Sequence, residues 1–169
     1  TISPKAKEPE WLKLLLKEFS HNGRLIGHGV RYSLLKANWD SNQDKWLKQL
    51  AIEVKKYNYR HVTEHFAFMT SDDFHKGTPL PVPFNKSTLA IGQDRLKRLQ
   101  NVSQLPIGIE NLAFAFSDAQ IKEQGEFLRK LIEPVNGFLI LDLHNIYCQS
   151  HNFKVDAVKL VKSYPLDKV

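Results

Sequence analysis

The sequence has almost no cysteine. Cys148 is the only one in 169 residues, which excludes an internal disulfide framework and makes a reducing, cytoplasmic setting the expectation. No apolar run approaches the ~20 residues of a membrane-spanning helix, and the opening residues lack the charged-then-apolar order of a signal peptide, so no membrane partner is expected. There is no glycine-rich phosphate loop and no Gly-x-Ser-x-Gly elbow, which removes two common signals of nucleotide binding and serine-nucleophile chemistry. An initiator methionine is also missing; Thr1 stands first, and a processed or truncated piece is expected.

What is present is enough for a core. Hydrophobic residues make up 42% of the chain, which suits a single domain spanning residues 1–169 without disulfides or structural metal. The formal charge of +6 invites a nucleic-acid reading, because clustered Lys and Arg gain affinity by releasing phosphate counterions. The distribution argues against it: Lys13, Lys17, Lys45, Lys48, Lys55, Lys56, Lys97 and Lys130 are scattered among acids on helix-like segments, as on solvated helix faces. No nucleic-acid partner is expected.

Helix and strand signals alternate along the chain. Pro9 at a first helical position, with Leu12, Leu15, Leu16 and Phe19 on one face and Gly23 as a stop, predicts a helix. The run RLIGHGV predicts a strand, and Ser41 with Asp44 opens a second helix along Trp46, Leu47, Leu50, Ala51 and Val54. YRHVTEHFAF is a second strand. After the Pro- and Gly-rich loop HKGTPLPVPF, Asn85 caps a helix carrying Leu89, Leu96 and Leu99, and LPIGIEN is a third strand. Ser117 with Gln120 opens a helix on Ile121, Leu128, Leu131 and Ile132; Pro134 and Gly137 release it into a fourth strand, GFLILDL, before a last helix around residues 155 to 163.

The runs at 107–109 and 138–141 are continuously apolar instead of alternating, the mark of strands covered on both faces in parallel α/β sheets. Right-handed crossovers put the carboxyl ends of such strands on one side, where α/β folds keep their chemistry. Four of those ends carry a metal-capable side chain: His28 in GHGV, His65 in TEHF, Glu110 in IENL and Asp142 in LDLHN. Successive members are separated by enough chain for one helix and one strand, so they are expected to converge.

Two imidazoles with carboxylates favour Fe, Mn or Zn. Glu64, Asn111, Asn145 and His151 stand beside the four as further ligands, as groups that orient ligands, or as substrate contacts. His144 ranks lower, one step from Asp142 where strand side chains point oppositely. His21, His61 and His75 read as ordinary histidines, and Cys148 as incidental.

HGV at 28–30, TEHFAF at 63–68, PLPVPFN at 79–85, IEN at 109–111 and LILDLHNIYCQSHNFKVD at 139–156, followed by YPLDKV, occur together and in order. In these pieces the chain resembles the DUF692, or UPF0276, family, which includes the iron oxidase of methanobactin biosynthesis. The resemblance implies a barrel of the xylose-isomerase-like (β/α)8 kind with two or three irons at the carboxyl ends of its strands. It also implies an oxygen-dependent oxidase that modifies cysteine in a ribosomally made peptide, working with a second protein that recognises the peptide leader. By the same resemblance His28, His65, Glu110 and Asp142 are metal ligands, with Asn145 and His151 as additions. His144 departs from the family's usual Asn, and HGVRYSLL replaces a more glycine-rich segment.

Length is the larger departure. A full barrel of this kind takes about 250 residues. Four strands can be placed, plus a stub of a preceding one at TIS, so the expected fold is α/β, a partial (β/α)8 barrel of about four to five parallel strands with flanking helices, a fragment of a full barrel. Such a piece exposes two sheet edges and an apolar flank, and self-association through them is expected. The alternatives are another divalent-metal barrel enzyme, an isomerase or endonuclease-like hydrolase, and a non-catalytic remnant.

Overall fold

The computed structural model describes residues 9–70 and 78–169. The TIS stub and His75 lie outside the described residues. The architecture is α/β: four parallel strands in the order β1-β2-β3-β4, with helices between them, forming part of a barrel. The strands are β1 (Leu25–His28), β2 (Tyr59–His65), β3 (Ile107–Glu110) and β4 (Phe138–Ile140). The helices are α1 (Glu10–His21), α2 (Ser41–Lys56), α3 (Lys86–Ser103), α4 (Asp118–Ile132), α5 (Leu143–Phe153) and α6 (Ala157–Ser163). No helix among the described residues is long and apolar enough to cross a membrane.

The helix starts follow local chemistry. Asn85 Oδ1 accepts from the Thr88 amide at 2.9 Å, and Ser117 accepts from the Gln120 amide. Each such cap is worth about 1 kcal/mol by satisfying an amide that the helix leaves unpaired. Two expected starts move by one residue. Pro9 is the cap of α1 and not its first helical residue. The cap of α2 is Asp40, not Ser41, because the Asp40 carboxylate accepts from the Asn42 and Gln43 amides while Asp44 is taken by the Trp39 indole N–H at 3.0 Å. Lys36 pairs with the same Asp40 carboxyl and, with those two amides, holds it below the usual carboxylate range.

The fourth strand is shorter than the apolar run GFLILDL predicted. It stops at Ile140, and Asp142 opens α5, a helix that the sequence reading did not place. A hydrophobic layer of Leu96, Leu99, Ile121, Leu128 and Leu131, all fully buried, packs against Ile107, Ile109 and Leu139 of the sheet. Complete burial of each such side chain contributes about 1.5–3 kcal/mol before entropy is charged against it. Period-two alternation turns Thr63, His65, Glu110 and Ile140 to the opposite, inner face.

Candidate metal centre

Strand register decides which side chains can meet. His65 of β2 is level with Glu110 of β3, which is level with Ile140 of β4, whereas His28 at the end of β1 is level with Thr63, one pleat lower. The rings of His28 and His65 nevertheless come together, their centroids 4.5 Å apart and their planes inclined at 50°. Both point Nε2 at one carboxylate oxygen: Glu110 Oε2 is 3.0 Å from His28 Nε2 and 3.6 Å from His65 Nε2.

The far side of each ring is anchored. His65 Nδ1 lies 2.9 Å from the Gly29 carbonyl, and a carbonyl only accepts, so Nδ1 carries a proton and Nε2 is the ring nitrogen left to act as a ligand. His28 Nδ1 lies 2.8 Å from Thr63 Oγ1. Glu110 is mostly enclosed, its side chain 12% exposed. Asn145 Nδ2 stands 3.4 Å from its second oxygen and donates to the Asn111 carbonyl at 2.8 Å.

The donors fit a first-row ion. Ligand bonds of about 2.1 Å put neighbouring donor atoms about 3 Å apart, and the three donor atoms here lie within 4.8 Å of one another. His28 Nε2 is at hydrogen-bond distance from Glu110 Oε2, and a cation would take the place of that contact by accepting all three donor atoms at once. His28, His65 and Glu110 form the one such group among the described residues.

The other expected residues stand differently. Asp142 is the cap of α5, its Oδ1 accepting from the amides of His144 at 2.6 Å and Asn145 at 3.0 Å, and it lies outside the three-donor group. Asn111 grips the Asp142 backbone from both sides: its Oδ1 accepts from the Asp142 amide and its Nδ2 donates to the Asp142 carbonyl at 3.1 Å. His151 sits six residues beyond Asn145 on α5, about 9 Å along the helix axis, exposed and stacked on Tyr147.

Glu64 is fully buried beneath Gly29, with neither carboxyl oxygen hydrogen-bonded. Burial pushes its pKa up to about 8, partly offset by the nearby amides of His65 and Tyr32. His144 belongs to α5, so strand alternation does not govern it; its Nε2 is 3.6 Å from Cys148 Sγ. His61 packs edge-on against Phe138, and burial lowers its pKa.

Two residues with a part in this geometry were not singled out from the sequence, Thr63 and Gly29. The available signal was alternation, since Thr63 precedes His65 by two and therefore shares its face.

The family model described as RiPP precursor modification enzyme MbnB/TglH/ChrH matches residues 6–169. Among curated proteins, a UPF0276 protein of Alcanivorax borkumensis is 26% identical over 159 residues, covering 90% of this chain and 52% of its own length. A UPF0276 protein of Acaryochloris marina is 30% identical over 146 residues, covering 84% of this chain and 51% of its own. A third, from Shewanella loihica, is 22% identical over 153 residues, covering 90% and 54%. The chain spans about half the length of the curated relatives it matches.

Proposed function

Because this chain belongs to the RiPP precursor modification enzyme family MbnB/TglH/ChrH, we propose that it carries part of the metal centre of a multinuclear iron-dependent oxidase that modifies cysteine in a ribosomally made peptide. The observation that carries the reading is the convergence of His28 Nε2 and His65 Nε2 on Glu110 Oε2. In this reading these three residues hold one ion, and Asp142 and Asn145 offer oxygen donors to a second beside it. Iron bound there would supply one-electron chemistry with dioxygen; Mn or Zn would fit the donors but not that chemistry. The chain's own part is to keep the imidazoles aimed, through Gly29 and Thr63, and to shield the Glu110 carboxylate from water. A leader-recognising protein is the proposed second partner, and the cytoplasm the proposed setting.

The test is metal content and oxygen dependence. Protein purified without chelator from iron-replete cells is expected to hold at least about one iron per chain, and Glu110→Gln to lose most of it. Wild type holding below roughly 0.1 iron per chain overturns the reading. Any peptide-modifying activity that persists under argon with Zn or Mn points instead to the hydrolase or isomerase alternative.

A second copy is proposed to cover the sheet's open sides. Trp11, Leu14 and Leu15 of α1 are exposed on the β1 side, and Leu143, Tyr147 and Val158 line an apolar groove between α5 and α6 on the β4 side. A twofold axis along the strands brings β4 of one copy beside β1 of the other, keeps all strands parallel, and lays α1 in that groove. Light scattering on the eluted protein is expected to give a dimer that Tyr147→Glu with Val158→Glu converts to monomer; a monomeric wild type rules the arrangement out.

A further inference from the structure

The segment that joins Glu110 of β3 to α4 displays two aromatic rings. Phe114 is 49% exposed and Phe116 is 65% exposed, while Ala115 between them packs on the core. The backbone that carries them is tied at both ends. At the start, the Asn111 carbonyl accepts from Asn145 Nδ2 at 2.8 Å, the Leu112 amide donates to Gln124 Oε1 at 3.1 Å, and the Leu112 carbonyl accepts from Gln149 Nε2. Gln124 and Gln149 are fully buried, and the Tyr164 hydroxyl donates to Gln124 Oε1 at 2.8 Å. At the far end, the Phe116 amide donates to Gln120 Oε1 at 2.9 Å, and Gln120 Nε2 donates to the Val82 carbonyl at 3.1 Å.

We propose that Phe114 and Phe116 dock the peptide substrate, taking apolar side chains about four to six residues from the cysteine that is modified. The proposal rests on reading the chain as a peptide-modifying oxidase centred on Glu110. The occupant follows from place and family. The family acts on a peptide precursor, and in this reading the reacting cysteine comes to the ion beside Glu110. Four and six residues of chain put Phe114 within about 14 Å and Phe116 within about 21 Å of Glu110, and an extended peptide rises about 3.3 Å per residue. Rings on a fixed backbone lose little freedom when covered, which makes them efficient anchors. Phenylalanine offers area and no directed hydrogen bond, so it selects apolar neighbours. A second copy fits these rings less well: its proposed contacts are α1 and the α5–α6 groove at the sheet's open sides, whereas Phe114 and Phe116 follow β3, an inner strand.

Two blocked, dye-labelled nonapeptides with a central cysteine serve as probes. In one, leucine alternates with serine around the cysteine; in the other, serine fills every other position. Fluorescence anisotropy is read under argon on the metal-free chain and on the iron-loaded chain. Wild type is expected to bind the leucine peptide at least about tenfold more tightly, the scale of burying part of one ring. Phe114→Ser with Phe116→Ser is expected to lose that preference and keep its urea midpoint.

Wild type that binds neither peptide, or both alike, overturns the proposal, as does a preference that survives in the folded double variant. If the double variant does not fold, the wild-type preference decides. A double variant that turns a dimer into a monomer assigns the rings to a second copy and also overturns it. A leucine preference that depends on the two rings, in a protein that takes up no iron, keeps the docking site and sinks the oxidase reading; an iron-loaded protein without the preference sinks the docking site alone.

Discussion

Gly29 and Glu64 share space that leaves no room for a side chain on the glycine: a Cβ built at position 29 would stand 1.7 Å from Glu64 Oε1 and 3.1 Å from Trp46 Cζ2. The Glu64 carboxyl ends a side chain, yet it is fully buried and has nowhere to swing. Gly29→Ala is therefore expected to destabilise by about 1–3 kcal/mol through overpacking. Its carbonyl also holds His65, so metal affinity should fall with stability. Urea unfolding and a metal titration of the same variant check both.

Glu64 itself makes stability depend on pH. Its folded-state pKa, near 8, lies above the ordinary value of 4.5, so the native protein binds this proton more tightly than the unfolded chain does. The contribution is present in full below 4.5 and is lost as pH rises through about 8, with a slope approaching about 1.4 kcal/mol per pH unit inside that window. Glu64→Gln, neutral throughout, is expected to flatten the decline. Urea midpoints of the metal-free proteins between pH 6 and pH 9 test it; parallel wild-type and variant curves contradict the buried-carboxyl account.

Asp142 can be separated into two roles. As a helix cap it is replaceable by Asn, whereas Ala should cost about 1 kcal/mol. As a proposed donor to a second ion it is replaceable by neither. Both Asp142→Asn and Asp142→Ala are expected to lower the iron stoichiometry, with only Ala lowering the urea midpoint. Iron retained in Asp142→Asn would confine this residue to capping.

Much of the fold was legible because separate signals coincided. At α3 and α4 a cap residue and an apolar stripe agree, with Pro134 and Gly137 as a further stop after α4, and both helices begin where the sequence put them. The parallel sheet followed from the unbroken apolar runs at β3 and β4. α5 was hidden for the opposite reason. Its cap, Asp142, sits at the end of a strand-like run and reads as the strand's last polar residue, and its stop is Lys154 at φ 55, in a left-handed conformation that normally advertises itself as Gly or Asn.

The histidines and Glu110 were visible as strand-end residues. Thr63 was not, because a lone hydroxyl in a β-branched strand residue looks like ordinary strand propensity. Only the register between β1 and β2 gives it a partner.

β1 has four residues and, among the described residues, pairs only with β2; it also carries His28. Outer strands fray before central ones, since fewer ladder bonds and less buried surface oppose their opening. In a single copy, where β1 pairs only with β2 among the described residues, an opening of β1 would carry His28 away while His65 and Glu110 stay on β2 and β3. The residence time of a captured ion would then be governed by the breathing of this one short strand, and amide exchange at Gly27 and His28 would serve as its clock.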